Sequence, residues 1–152
     1  MKDNASIQQG DPTPDGTMPK RPLPALNTDT RAYWTGGERG ELLIYRCRHC
    51  DYFVHPPVPY CPECESRDVG PYPVSGRGTV TTFTVNHKQW LPTLPVPYVV
   101  ALVSIAEQDD VRLVANIVNC DPGEVAIGMQ VDVCFEQCED LWIPLFEPVK
   151  AV

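Results

Sequence analysis

With 152 residues, 43% of them hydrophobic, the chain can build one domain or two small ones around a real core, which excludes a wholly disordered protein. The formal net charge of −8 opposes generic nucleic-acid binding, and the imbalance is concentrated: residues 1–97 hold 10 acidic and 10 basic side chains, whereas residues 98–152 hold 10 acidic ones and only Arg112 and Lys150. No run approaches the roughly 20 apolar residues of a membrane span and the opening ten residues lack a secretory apolar stretch, so a cytoplasmic location is expected.

Residues 1–26 form the first segment. Five of the 17 prolines fall before residue 25 with Asp, Gly, Ser and Gln between them, a composition that predicts a flexible tail. Residues 27–45 are a helical segment with a lead-in strand. Asn27 and the neighbouring threonines offer N-caps, Ala32-Tyr33-Trp34 supplies an aromatic anchor, and Gly36-Gly37 is expected to end the short helix. Leu42 to Arg46 then reads as a strand entering a first cysteine pair, and Tyr52-Phe53-Val54 as the strand leaving it, a hairpin with a metal knuckle at its tip.

Residues 46–76 carry the spacing C-x2-C-x10-C-x2-C. Each C-x-x-C lets one tight turn present two thiolates to one ion, so Cys47, Cys50, Cys61 and Cys64 form a tetrahedral sulfur set. An odd total of seven cysteines in a chain without a secretory signal also favours metal over disulfides. Zn²⁺ suits a structural role, although a rubredoxin-like S4 geometry also accepts iron. Four protein ligands leave no open position, which makes the metal structural. His49 lies inside the first knuckle but is not needed as a ligand. Asp51 and Glu65 stand where each knuckle calls for left-handed backbone, with strain expected at Glu65. Cys120, Cys134 and Cys138 lack metal spacing and read as small buried hydrophobes.

Residues 70–78 are turn-rich, and from there five strands follow: Thr79 to Val85, Tyr98 to Ile105, Val111 to Val118 after an acidic turn at Gln108-Asp109-Asp110, Val131 to Phe135, and Leu141 to Phe146. Five strands of this length close a small barrel across residues 77–150. An OB-fold carries its inter-strand helix at 121–128, where Pro122-Gly123 permits only a short turn.

No signature of nucleophilic or metal-assisted catalysis occurs. His55 is wedged before two prolines, leaving His87 as the candidate acid or base, and it has no evident nucleophile partner. No catalytic residue is assigned. The loop from Lys88 to Pro97 stiffens Trp90, Leu91 and Leu94 among three prolines, and an exposed apolar loop of this kind usually meets a partner. Trp34 joins them as a docking candidate, with packing against a neighbouring surface as its other reading. Arg46, Arg48, Arg77 and Lys88 lie nearest the ribbon–barrel junction and are candidates to receive phosphates, or else scattered solvated charges.

The run Gly40 to Cys47, the two knuckles, Ser75 to Val80, Pro97 to Val103 and Ile127 to Val131 together resemble the zinc-ribbon/OB-fold acyl-CoA-associated family, catalogued as a domain of unknown function. The resemblance covers about residues 27–148. It implies an N-terminal helical hairpin, a rubredoxin-like ribbon and an OB-fold: a mainly β protein that is a non-catalytic subunit of an acyl-CoA enzyme complex. It further implies a thiolase-superfamily partner (a thiolase, an acyltransferase or a sterol-carrier-type retro-aldolase), acyl-CoA at the shared site, and a place in lipid or steroid side-chain degradation. Two other readings stay open: a single-stranded nucleic-acid binder on the same barrel, and an autonomous acyl-CoA hydrolase. The acidic barrel counts against the first and the lack of a nucleophile against the second.

Overall fold

The computed structural model describes residues 21–150, in which one short helix and eight strands form a three-stranded ribbon sheet and a closed five-stranded barrel. The ribbon sheet has the order β2-β1-β3, with β1 at Leu42–Cys47, β2 at Phe53–Val54 and β3 at Val69–Val74. The expected knuckle hairpin is present, pairing Tyr45 with Val54 and Arg46 with Phe53. The third strand replaces the first part of the expected turn. Its Pro71 and Pro73 pair with Tyr45 and Leu43 on an edge strand, and prolines two residues apart turn both missing N–H groups to the outer edge, where no ladder bond is lost.

The barrel runs β4-β5-β6-β8-β7 and closes through β4 and β7. Its strands are β4 Arg77–Asn86, β5 Tyr98–Ile105, β6 Gln108–Ile117, β7 Gln130–Cys138 and β8 Leu141–Pro148. The expected acidic turn is corrected: Ala106-Glu107 makes the turn, and Gln108, Asp109 and Asp110 belong to β6. A two-residue turn closes the hairpin and leaves those polar side chains on the strand's rim.

Strict alternation along β4 would separate Val80 from Phe83 and Val85. A register shift between Val80 and Thr82 resolves this, so that Val80 is fully buried and Phe83 and Val85 also pack on the core. Val80, Val99, Val103, Leu113, Val131 and Phe146 fill the barrel, while Leu42 and Ile44 extend the same cluster from the ribbon. Between β6 and β7 the chain makes only the 3-10 turn Pro122–Glu124, with Asp121 Oδ1 accepting from the Gly123 N–H at 2.7 Å.

A second apolar cluster lies on the barrel's outer face. Leu141, Ile143 and Leu145 of β8 are covered by Leu23, Leu26 and Trp34, with Cys134 and Cys138 beside them. Residues 21–26 therefore pack on the barrel, contrary to the flexible-tail expectation for that stretch; residues 1–20 lie outside the described residues. The reason is the outward-facing leucines of β8, whose exposure would cost more than ordering six residues with two leucines to cover them. Arg21 anchors the segment through Glu136 Oε1 and Asn116 Oδ1, both at 2.9 Å.

The expected helical hairpin is also corrected. Among the described residues there is one five-residue helix, α1 at Arg31–Thr35, which ends at Gly36 as expected, and a 3-10 turn at Gly36–Arg39 follows it and closes on left-handed Gly40. Asn27 does cap this segment, its Oδ1 accepting from the N–H of Asp29 at 3.0 Å and of Thr30 at 2.8 Å. Gly37 is required by proximity, since a Cβ there would overlap Trp142 and come within 2.5 Å of the Phe135 ring. That contact seats the helical segment on β7 and β8.

Candidate functional site

The two cysteine turns are built alike. In the first, the Asp51 N–H donates to Cys47 O at 3.0 Å and the Cys47 N–H to Tyr52 O at 2.8 Å; in the second, Glu65 donates to Cys61 O at 2.9 Å and Cys61 to Ser66 O at 2.8 Å. Both need a left-handed residue at the same place, and Asp51 at φ 65° and Glu65 at φ 61° supply it, as expected. The turns bring the four sulfurs together, with Cys47 Sγ 3.6 Å from Cys64 Sγ, Cys50 Sγ 3.5 Å from Cys61 Sγ, and all four ligand atoms within 4.8 Å of one another.

This arrangement fits Zn²⁺. Four sulfurs about 2.3 Å from a tetrahedral zinc stand about 3.8 Å apart, close to the spacing here. Protons are shared unevenly in the cluster. Burial pushes the Cys47 thiol up, but the backbone N–H groups of Cys50 and His49 and the neighbouring sulfurs outweigh it and hold Cys47 at about 6. For Cys50 the Tyr52 backbone N–H lowers the value, but burial and the three other sulfurs push it up to about 12. Four thiolates this close cannot all ionise without a cation between them, so the donor set calls for a dication. When bound, zinc cross-links the two turns, and the closed S4 set leaves no ligand position for a substrate. His49 is exposed and only its backbone N–H touches a ligand sulfur, Cys47 Sγ at 3.4 Å.

Polar contacts lock the ribbon to the β5–β6 hairpin. The Gln108 carboxamide accepts from the Phe53 N–H at 2.9 Å and donates to Phe53 O at 3.0 Å, extending the ribbon sheet by one side chain. The Tyr52 hydroxyl donates to Asp110 Oδ2 at 2.5 Å, and the Ser75 N–H to Glu107 Oε1 at 2.6 Å. The hydrogen bond to the Asp110 carboxylate pushes the Tyr52 phenol up to about 12. Spacing alone gives no sign of this seam, because its partners are more than thirty residues apart.

The phosphate candidates are not brought to one place by any shared contact. Arg46 pairs with Asp51 at 3.0 Å and lies over Tyr72 at 4.5 Å, and Arg48 pairs with Asp68 at 2.6 Å. Lys88 lies over the Trp90 ring at 4.1 Å, and Arg77 is exposed at the start of β4. Trp90 is 64% exposed, its indole N–H donating to Asn86 Oδ1 at 3.2 Å. Leu91 and Leu94 are half-buried in the same loop, whereas Trp34 is largely occupied with its own barrel. His87 is exposed beside them and is hydrogen-bonded to no nucleophile among the described residues.

Sequence reasoning missed the grooves around α1. One, of about 170 Å³, lies between Arg21, Trp34 and β8, and another, of about 420 Å³, between α1, His55 to Pro57 and β6. A third, of about 360 Å³, crosses the outer faces of β4 and β5. Val114 borders all three and is 71% exposed, a large apolar residue on a barrel exterior. Strand alternation alone marks it as outward but not as the meeting point of three grooves. No helix among the described residues is long and apolar enough to cross a membrane.

Residues 34–70 match the ChsH2 rubredoxin-like zinc ribbon domain family and residues 72–136 the ChsH2 C-terminal OB-fold domain family. Among curated proteins, the chain is 37% identical over 84% of its length to a Thermomonospora curvata protein named "Probable enoyl-CoA hydratase alpha subunit", and 36% identical over 89% to the 3-oxo-4,17-pregnadiene-20-carboxyl-CoA hydratase alpha subunit of Mycobacterium tuberculosis. It spans about two fifths of these two relatives, 40% and 41% of their lengths. A DUF35 domain-containing scaffold protein of Methanocaldococcus jannaschii is 32% identical, over 68% of this chain and 73% of that one. Among solved structures, a chain of the Ltp2-ChsH2(DUF35) aldolase matches with a TM-score of 0.74 at 38% identity, covering 83% of this chain and 98% of that one. With its four-cysteine ribbon set on a closed OB barrel, the chain belongs to the DUF35 family of ChsH2-type zinc-ribbon/OB-fold proteins.

Proposed function

We propose that this chain is a non-catalytic subunit of an acyl-CoA enzyme complex, docking on a thiolase-superfamily enzyme of the retro-aldolase type and helping to form its acyl-CoA site. The observation that carries the reading is the 38% identity, across nearly all of the other chain, to a component of the Ltp2-ChsH2(DUF35) aldolase. The scaffold name of the archaeal relative and the CoA-thioester names of the two hydratase subunits support the same setting, degradation of steroid side chains or other lipids.

The chain's own chemistry agrees with a supporting role. Its metal site has a full set of protein ligands, its exposed His49 and His87 are hydrogen-bonded to no nucleophile among the described residues, and its exposed large apolar side chains include Trp90 on the β4–β5 loop and Val114 on a barrel face. Trp90, Leu91 and Leu94 stand on the loop joining β4 to β5, and the pairing of Asn86 with Tyr98 puts that loop at the end of the barrel where Val100 opposes Asn116. Partner contact at this end would bury Trp90 together with the Val114 face.

Trp90→Ala tests the docking role. Loss of an aromatic anchor at an interface costs about 2 kcal/mol, or roughly thirtyfold in affinity, and zinc content should not change. A fall in thermal stability with unaltered partner affinity would reject the role.

A further inference from the structure

The groove between α1, the ribbon and β6 carries chemistry that subunit docking does not require. Its walls are flat and apolar: Tyr33 and Trp34 from α1, His55 and Pro56 from the segment after β2, and Val114 from β6. The Tyr33 and His55 rings lie 5.1 Å apart between centroids, tilted at 41°, and Tyr33 meets Trp34 edge-on at 4.7 Å. Four polar side chains interrupt this surface: Thr30, whose hydroxyl accepts from the Asn27 N–H at 3.2 Å, His55, Tyr33 and Arg112. The Tyr33 hydroxyl makes no hydrogen bond among the described residues, although burial has pushed its pKa well above the usual phenol range. The Arg112 guanidinium makes no ion pair among the described residues, although its charge helps to hold down the Asp110 carboxyl two residues along β6, whereas Arg21, Arg39, Arg46 and Arg48 each hold a carboxylate.

The charge pattern is the second observation. In a chain of 20 acidic and 12 basic residues, no carboxylate lines this groove. The acid nearest along the strand, Asp110, already accepts from Tyr52. A largely apolar slot edged by one cation and one hydroxyl, lined by no carboxylate and with its nearest acid engaged by Tyr52, is complementary to an apolar body bearing a single anionic group.

We propose that this groove is a binding site of the chain itself for an amphipathic carboxylate, the apolar body lying along Trp34, Pro56 and Val114 and the carboxylate taken by Arg112 with the Tyr33 hydroxyl donating beside it. The site draws its walls from all three parts of the fold and exists without a partner enzyme, so it stands or falls separately from the docking role.

The test uses the zinc-loaded full chain and two probes of equal length, decanoate and its uncharged amide, kept below the micelle concentration. Methyl shifts of Val114 and calorimetry follow binding. Decanoate should saturate the Val114 shift and bind at least about fivefold tighter than the amide, and Arg112→Gln should erase that preference, weakening decanoate about tenfold. Tyr33→Phe removes only the hydroxyl and should weaken decanoate severalfold, while neither variant alters the melting temperature by more than a degree or two. Equal affinity for acid and amide, undiminished decanoate binding in Arg112→Gln, or no saturable shift at Val114 would each overturn the proposal.

Discussion

Replacing Gln108 by methionine keeps the length of the side chain and removes both bonds by which it holds the ribbon. The Phe53 N–H and carbonyl lose partners at 2.9 and 3.0 Å in a part-buried setting, and Phe53 itself is 9% exposed. A hydrogen bond contributes about 1 kcal/mol net, and a backbone group left partly buried without a partner costs more, so the variant should lose about 2–3 kcal/mol. That is a large fraction of the roughly 5–15 kcal/mol by which such domains are stable. The loss should fall on the ribbon. In denaturant melts of the zinc-loaded protein the transition should shift by that amount or split in two, and a chelator should extract zinc faster than from the wild type, because the knuckle strand is freed from the barrel rim. A change below about 0.5 kcal/mol with unaltered zinc release would refute the view that this side chain docks the ribbon.

Three further outcomes follow from the same geometry. Cys61→Ser should lose bound zinc and soluble yield together, since a structural site contributes about 10 kcal/mol or more of metal-linked folding energy; elemental analysis finding less than about half an equivalent of zinc in well-folded wild type would contradict this. Glu65→Gly should leave stability unchanged or raise it by up to about 1 kcal/mol, because glycine accepts the φ of 61° without the Cβ penalty, and a clear drop in melting temperature would show that the glutamate side chain holds the knuckle. Burial lowers the pKa of His55, so above the ordinary value of 6.5 folded and unfolded chains carry the same neutral ring, and stability falls as the pH drops below 6.5 toward the depressed folded value. His55→Phe keeps the ring against Tyr33, and the wild-type advantage over it should shrink between pH 7.5 and 5.5; parallel stability curves would contradict that.

The metal centre was readable from spacing because two C-x-x-C turns leave one way to satisfy four thiolates, and even the left-handed residues were visible as Asp51 and Glu65. The barrel strands were readable from alternation, but their phase along β4 was not. Only the register shift after Val80 explains how Val80, Phe83 and Val85 all face the core. β3 was hidden by its prolines, whose placement is permitted by an edge and not by a central strand. Residues 21–26 looked like tail because their burial depends on β8, over a hundred residues away, showing leucines outward. The groove residues Tyr33, His55 and Arg112 come from three separate stretches of chain, and no local pattern links them. Trp90 stands on its proline-rich loop with 64% of its surface exposed, whereas Trp34 serves the chain's own core first.

Whether this chain supports chemistry carried by another subunit is decided by measuring acyl-CoA turnover for the purified chain, for a thiolase-superfamily enzyme of the same organism, and for the two after co-expression, with native mass spectrometry on the mixture. A supporting subunit should give a stable hetero-complex retaining zinc, negligible turnover by this chain alone, and full turnover only in the complex. Turnover of roughly 1 per second or more by this chain alone, or an enzyme fully active without it and forming no complex, would rule out the supporting role.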